Sequence, residues 1–334
     1  MTVLFSAACN TNQRAAAKLE SSKHESAVTL EDILSWIPQG AESLIVARGP
    51  FSIQDAPAEP EKSGIEAAFQ DQAVGPLGSL ADGAFYKQLS SNRVLLAVEA
   101  SGGFRGPEGK LGLGEMRYKG VHVVHLEIGS DNGIQKFTSS IRQASSKVLK
   151  MDGNEVFVLE KHTENYGSWS FLISEPKPDI LILATDEGQL REVLSRMKER
   201  RADRAFPRTF PEWKLLNQTK TALAMRHYGH AESKLDPSSP LGGKAAANVP
   251  DDQAVGFACT VEGFDQITCS YISGNKDRSD VAQRLFSGPL PAVKPNSVLT
   301  KADVVEMKFV LANARARSEF LLRLLSALGH GAYL

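Results

Sequence analysis

The chain has 334 residues, of which 42% are hydrophobic and 23% are charged, a composition typical of folded globular proteins rather than disordered ones. Its formal net charge of -1 provides no overall field that would attract nucleic acid, an anionic membrane or an acidic substrate. No apolar run approaches the roughly 18 residues that a membrane-spanning helix needs. The sequence therefore predicts neither a membrane span nor a nucleic-acid partner.

The first residues contain a candidate lipidation site. Cys9 follows Ser6, Ala7 and Ala8 and precedes a polar segment without apolar periodicity. This pattern resembles the end of a bacterial lipoprotein signal peptide, in which the cysteine is lipidated and becomes the new N-terminus. Two features depart from that pattern: Ser6 stands where an aliphatic residue is usual, and no basic region precedes a full apolar segment. A start codon assigned too far downstream explains both, while an unstructured N-terminus with an incidental cysteine fits equally well.

The elements begin after a flexible tether predicted over residues 1–28. Thr29 is a suitable N-cap for a helix whose apolar residues follow a helical spacing as far as Ile37. A strand is predicted over residues 43–48. Residues 55–83 are rich in Pro, Gly, Ala and acids and are left unassigned, although a weak helical signal lies near residues 65–69.

A strand is next predicted over residues 93–99, and another ends near residue 127. The dipeptide Asp152-Gly153 separates two alternating runs and is typical of a type I′ hairpin turn. Two further strands then complete an antiparallel meander as far as residue 185. Asp186 is a suitable N-cap for the helix that follows.

One order of elements occurs twice. A strand over residues 121–128 leads through a polar turn into a helix, and a strand over residues 267–272 does the same. The expected fold is therefore α+β, with two related halves over residues 29–217 and 218–334. Each half is expected to form an antiparallel sheet, in hairpin–helix–strand–helix order, with helices packed on one face.

Two cysteines of the second half form a candidate disulfide. Cys259 and Cys269 lie on adjacent strands of a predicted hairpin, and a three-residue turn at residues 263–265 would set them opposite each other. Both a cross-strand disulfide and two buried free thiols fit this register. A disulfide would favour an oxidising compartment.

A glycine-rich segment over residues 101–115 carries two cations, Arg105 and Lys110. A nucleotide-binding phosphate loop needs Gly, four residues and then Gly-Lys-Ser/Thr at the start of a helix. Here Phe104 stands in place of the first glycine and Leu111 in place of the hydroxyl residue. The segment is therefore predicted to be a flexible hairpin loop, with Arg105 and Lys110 as a candidate anion-binding pair.

Two histidine pairs, His122 with His125 and His227 with His230, have the spacing His-x-x-His. Residues three apart on a strand point to opposite faces, so neither pair is predicted to bind a metal from regular β structure. The sequence also lacks a Gly-x-Ser-x-Gly elbow and any local context typical of a catalytic cysteine. It therefore predicts no catalytic residue, metal or cofactor.

The preferred interpretation is a non-enzymatic binding or interaction module of the bacterial cell envelope or periplasm. Its partner would be another protein or a small ligand, and its only membrane attachment would be a lipid on Cys9. One alternative is a hydrolase with its site in the cleft between the two halves, because catalytic residues need not be adjacent in sequence. The other alternative is a cytoplasmic scaffold protein.

Overall fold

The computed structural model contains one antiparallel sheet of 12 strands. It describes residues 28–37, 41–52, 64–74, 93–102, 119–127, 133–163, 167–199, 210–227, 254–273, 293–301 and 304–328. The strands are β1 Ser43–Ser52, β2 Arg93–Gly102, β3 Lys119–Leu126, β4 Lys147–Met151, β5 Asn154–Thr163, β6 Gly167–Lys177, β7 Ile180–Ala184, β8 Ala222–His227, β9 Ala254–Val261, β10 Gln266–Ser273, β11 Ser297–Lys301 and β12 Val304–Val310. Across the sheet they follow the order β11, β12, β10, β9, β8, β1, β2, β3, β7, β6, β5 and β4.

Five α-helices accompany the sheet in the described part of the chain. They are α1 Leu30–Trp36, α2 Ile65–Val74, α3 Gly133–Ala144, α4 Glu187–Glu199 and α5 Ala314–Leu328, and a 3-10 helix spans Pro211–Leu215. None of these α-helices combines the length and apolar content that a bilayer crossing requires.

The central strands are buried on both sides of the sheet. On β1, Leu44 and Val46 belong to one apolar core, while Ile45 and Ala47 belong to the other. We call the side of Ile45 the front face and the side of Leu44 the back face. An unbroken apolar run of this kind is typical of a strand that is covered on both faces.

Helices cover each face of the sheet. The front-face core includes Phe69 of α2, Ile141 of α3 and Phe320 of α5, and the Phe320 ring lies 5.1 Å from that of Phe309 on β12. The back-face core includes residues of α1 and α4, together with Trp213 of the 3-10 helix. The centre of the molecule is therefore a three-layer arrangement with the sheet in the middle.

The expected fold of two halves is wrong. β1 pairs with β8 in an antiparallel register that sets Leu44 opposite Met225, so strands from both predicted halves form one continuous sheet. Helices also pack on both faces rather than on one, because strands with apolar side chains on both sides need two covers. The predicted boundary between residues 217 and 218 is untested and stays a prediction.

Several local predictions are confirmed. Asp152 and Gly153 both have positive φ angles, 51° and 89°, as a type I′ hairpin turn requires. The side chain of Thr29 accepts a hydrogen bond from the Asp32 backbone N–H, and the Asp32 side chain accepts one from the Thr29 backbone N–H. Local turn and capping chemistry therefore gave the right elements even though the predicted assembly of the sheet was wrong.

Candidate functional site

One edge of the sheet carries most of the exposed large apolar side chains of the described residues. Five such side chains are exposed: Val148, Phe264, Val298, Leu299 and Val310. Three of these lie on β11 or β12, and β11 is the outermost described strand at this end of the sheet. Exposed apolar surface that is concentrated in one place is typical of an interaction site.

Both faces of β11 present an apolar residue. Val298 pairs with Met307 and lies on the front face, where 39% of it is exposed. Leu299 pairs with Glu306, lies on the back face and is 46% exposed. An outermost strand also directs backbone N–H and C=O groups away from the sheet, which makes it a template for a further strand. The β11 edge, residues 297–301, is therefore able to receive an extended segment.

The opposite edge of the sheet is protected by charge. Lys147 and Lys150 are both exposed on β4 and point to opposite faces of it, as the register with Val158 and Glu155 shows. Lysines on an edge strand are a common defence against unwanted strand pairing. On β11 the single lysine, Lys301, stands at the last position of the strand. The two edges therefore differ in a way that favours β11 for recognition.

An acid–histidine pair lies on the back face where β8 ends. Nδ1 of His227 is 3.2 Å from both carboxylate oxygens of the fully buried Glu212, and Phe210 stacks on the imidazole with 4.0 Å between ring centroids. Burial raises the pKa of Glu212, and the hydrogen bond from His227 opposes this rise. The carboxylate fixes the ring orientation and leaves Nε2 on the far side, with 21% of the histidine side chain exposed.

Gly256 makes room for this carboxylate. A Cβ atom at this position would lie 2.2 Å from Oε1 of Glu212 and 2.1 Å from the carbonyl oxygen of Arg226. Since real Cβ atoms do not approach other heavy atoms so closely, only glycine fits here. The missing side chain at Gly256 on β9 thus leaves the space that the Glu212 carboxylate occupies.

A second acid–histidine pair is buried under α2 on the front face. Glu99 and His122 are opposite each other on β2 and β3. Gln72 Nε2 donates to Oε2 of Glu99 at 3.0 Å, and His122 Nδ1 donates to the Ala73 carbonyl oxygen at 3.2 Å. Burial raises the pKa of Glu99 to about 8 and lowers the pKa of His122 to about 4. Both are uncharged at neutral pH, and their hydrogen bonds fix α2 on the sheet.

The two cysteines of the candidate disulfide meet on the front face. Cys259 and Cys269 are directly opposite on β9 and β10, with their Cα atoms 4.1 Å apart and their sulfur atoms bonded. Both are buried, in the same core as Phe257 and Tyr271. The register is the one that a turn at residues 263–265 predicts.

The other predicted site residues lie outside the described residues. These are Cys9, the candidate lipidation site, and Arg105 and Lys110, the candidate anion-binding pair. Their roles stay predictions.

His122 and His125 lie on opposite faces of the sheet, as their spacing on a strand predicts. His122 contacts α2 on the front face, whereas His125 lies on the back face, with its Nε2 3.3 Å from Oδ2 of Asp179. His230 is outside the described residues. Within the described ranges, no group of three His, Cys, Asp or Glu side chains is arranged to hold a metal ion.

Sequence reasoning missed β11 and the partner of His227. The five residues of β11 follow Pro295 and Asn296 and are too few for a clear alternating pattern. The β-branched Val298 and Thr300 were the available signal. Glu212 is 15 residues from His227 in sequence, and no short motif marks this separation.

Comparison with known proteins assigns no family. No protein-family model matches the chain, and no curated protein is significantly similar to it. A comparison of folds gives aspartate kinase from Synechocystis, with a TM-score of 0.16 and 7% sequence identity. The aligned region covers 89% of this chain and 56% of that one, so this chain spans little more than half the length of the kinase. A TM-score this low carries no argument about fold or activity.

Proposed function

We propose that the chain is a non-enzymatic interaction module of the bacterial cell envelope, which binds an extended protein segment along β11. The observation that carries this proposal is the β11 edge, with Val298 exposed on one face and Leu299 on the other. In strand addition, main-chain hydrogen bonds supply affinity and side chains on alternate faces supply specificity.

The pairing of Cys259 with Cys269 supports the proposed compartment. Disulfides persist in the periplasm and outside cells, and they are rare in the cytosol. The two residues are directly opposite each other on β9 and β10, which is the register that a cross-strand disulfide requires. A lipid on Cys9 is the membrane attachment that this proposal includes.

A photo-crosslinking amino acid placed at residue 298 of the full chain, expressed in a bacterium, tests the interaction. Val148 provides a matched control position, since it is also an exposed valine and the second residue of an edge strand on the front face. We expect irradiation to produce a protein adduct from residue 298 and none from residue 148. The adduct should disappear when Leu299 is also replaced by Lys. Equal adducts at both positions, or no adduct at residue 298, would contradict the proposal.

A hydrolase is the second candidate, favoured by the Glu212–His227 pair. A buried carboxylate that orients an imidazole through Nδ1 is part of the arrangement that a histidine general base uses, in which Nε2 faces the reactant. The site would then lie at the end of β8 and not in a cleft between two halves. Hydrolysis of p-nitrophenyl acetate by the full chain, lowered at least roughly tenfold in His227→Gln, would support this function. If the wild-type chain and His227→Gln both hydrolyse the ester only at the uncatalysed rate, the hydrolase function is wrong.

A further inference from the structure

We infer that the segment bound by β11 is β11 of a second copy of this chain, paired antiparallel about a two-fold axis at Leu299. This inference rests on the proposed function, since it names the partner of the same edge. The dimer would join two 12-stranded sheets into one continuous sheet through their β11 edges.

The residues of β11 complement themselves in this register. Leu299 faces Leu299 of the second copy on the back face, so the exposed part of each leucine is covered. Val298 faces Thr300 on the front face, which is a pair of β-branched residues of the kind that stabilises antiparallel strands. Ser297 faces Lys301, and no two like charges stand opposite each other. All five residues of the strand are paired only when the axis passes through Leu299.

The symmetry keeps each face of the sheet continuous. In an antiparallel pair, residues directly opposite each other point to the same face. A two-fold axis perpendicular to the sheet therefore sets the front face of one copy beside the front face of the other. A closed pair of this kind is isologous and uses up both edges, which prevents further addition at β11.

The opposite edge does not offer the same match. With an axis at Leu149, β4 would set Leu149 against Leu149 of the second copy, but Val148 would face Lys150 and Met151 would face Lys147, so two of its three apolar residues would meet a charge. Met151 is in addition buried in the back-face core of its own chain. Self-pairing is therefore more favourable for β11 than for β4.

Charged substitutions at Leu299 test the inference. The oligomeric state of the purified full chain is measured by sedimentation velocity at micromolar concentration. We expect the wild-type chain to sediment as a species of twice 36.2 kDa. Leu299→Lys places two lysines opposite each other on the axis, and Leu299→Glu places two glutamates there, so each variant alone should be monomeric. An equal mixture of the two should restore the dimer. Val148→Lys, at an equally exposed residue of the other edge, should remain dimeric.

Several outcomes would overturn self-pairing. These are a monomeric wild-type chain, a dimer that survives Leu299→Lys, or a mixture of the two charge variants that stays monomeric. Far-ultraviolet circular dichroism of each variant verifies the fold, and the mixture provides a positive control for both variants. If the wild-type chain is monomeric but residue 298 crosslinks to a different protein in cells, only the identity of the partner is wrong. If residue 298 forms no adduct either, the proposed function fails as well.

Discussion

Glu99 and His122 are uncharged at neutral pH, because burial disfavours the charged form of each. Their effects on stability have opposite signs. Glu99 has a pKa of about 8 in the folded chain against 4.5 normally, so its contribution is complete below pH 4.5 and is lost as the pH rises towards 8. The folded-state pKa of His122 is about 4 against 6.5 normally, so its contribution is present above pH 6.5 and is lost as the pH falls towards 4. Between pH 4.5 and 6.5 the stability contributions of Glu99 and His122 change with pH in opposite directions. Above pH 6.5 only the loss of the Glu99 contribution remains.

The first prediction concerns the window from pH 6.5 to 8. The wild-type chain should lose stability there, by up to about 1.4 kcal/mol per pH unit from Glu99. Glu99→Gln keeps an acceptor for the Gln72 amide and removes the titration, so this variant should lack that loss. Urea unfolding at the two pH values measures the difference. His122→Gln should retain the wild-type loss, and a loss of the same size in Glu99→Gln would show that another group is responsible.

The second prediction concerns the close approach at Gly256. Gly256→Ala would force the new Cβ against the Arg226 carbonyl and the Glu212 carboxylate. We expect a loss of roughly 2 kcal/mol or more in the free energy of unfolding, measured by chemical denaturation. Gly263 is the matched control in the β9–β10 turn, because a Cβ there meets no atom within 4 Å. A Gly256→Ala variant as stable as Gly263→Ala would mean that the β8–β9 pair adjusts to the added atom.

At the scale of elements, the capping box of α1 can be tested directly. The hydroxyl of Thr29 accepts from the Asp32 N–H at 3.1 Å, and Asp32 Oδ2 accepts from the Thr29 N–H at 2.8 Å. Thr29→Ala should therefore lower the free energy of unfolding by about 1 kcal/mol. Ser35→Ala is the control, since the Ser35 hydroxyl only bonds a carbonyl oxygen within the same helix. Equal effects of the two substitutions on the urea midpoint would argue against the cap.

The elements that the sequence predicted well are those with strong local signals. The type I′ turn at Asp152 and Gly153 and the cap at Thr29 depend on residues that are close in sequence. The sequence does not firmly predict helix α2, because its apolar residues follow only a weak helical pattern, although Ile65 and Phe69 are buried in the front-face core. β11 was missed because five residues give too little periodicity, and its position at the edge depends on β12.

At the scale of the whole molecule, the order of the strands was not predictable from local patterns. β1 and β8 are joined by a register that pairs Ser43 with Arg226, far apart in sequence. No residue pattern in β1 or β8 indicates that these two strands pair with each other. The apolar run of residues 44–47 did contain one usable signal, since a strand buried on both faces requires helices on both sides of the sheet.

The candidate site was predictable only in part. The register of Cys259 and Cys269 followed from alternation and a short turn. Alternation and turns did not predict the exposed β11 edge. The exposure of Val298 and Leu299 depends on which strand ends the sheet. The Glu212–His227 pair likewise required the tertiary fold, which brings the 3-10 helix segment against the end of β8.

The central claim is that this chain works in the cell envelope, and the state of Cys259 and Cys269 in the cell tests it most directly. Free thiols in the expressing bacterium would be alkylated at lysis, the full chain would be isolated from both the envelope and the cytoplasmic fractions, and its intact mass would be compared before and after reduction. We predict that these two cysteines resist alkylation at lysis and that reduction adds the mass of two hydrogen atoms. A chain recovered from the cytoplasm with both thiols alkylated at lysis would contradict the claim.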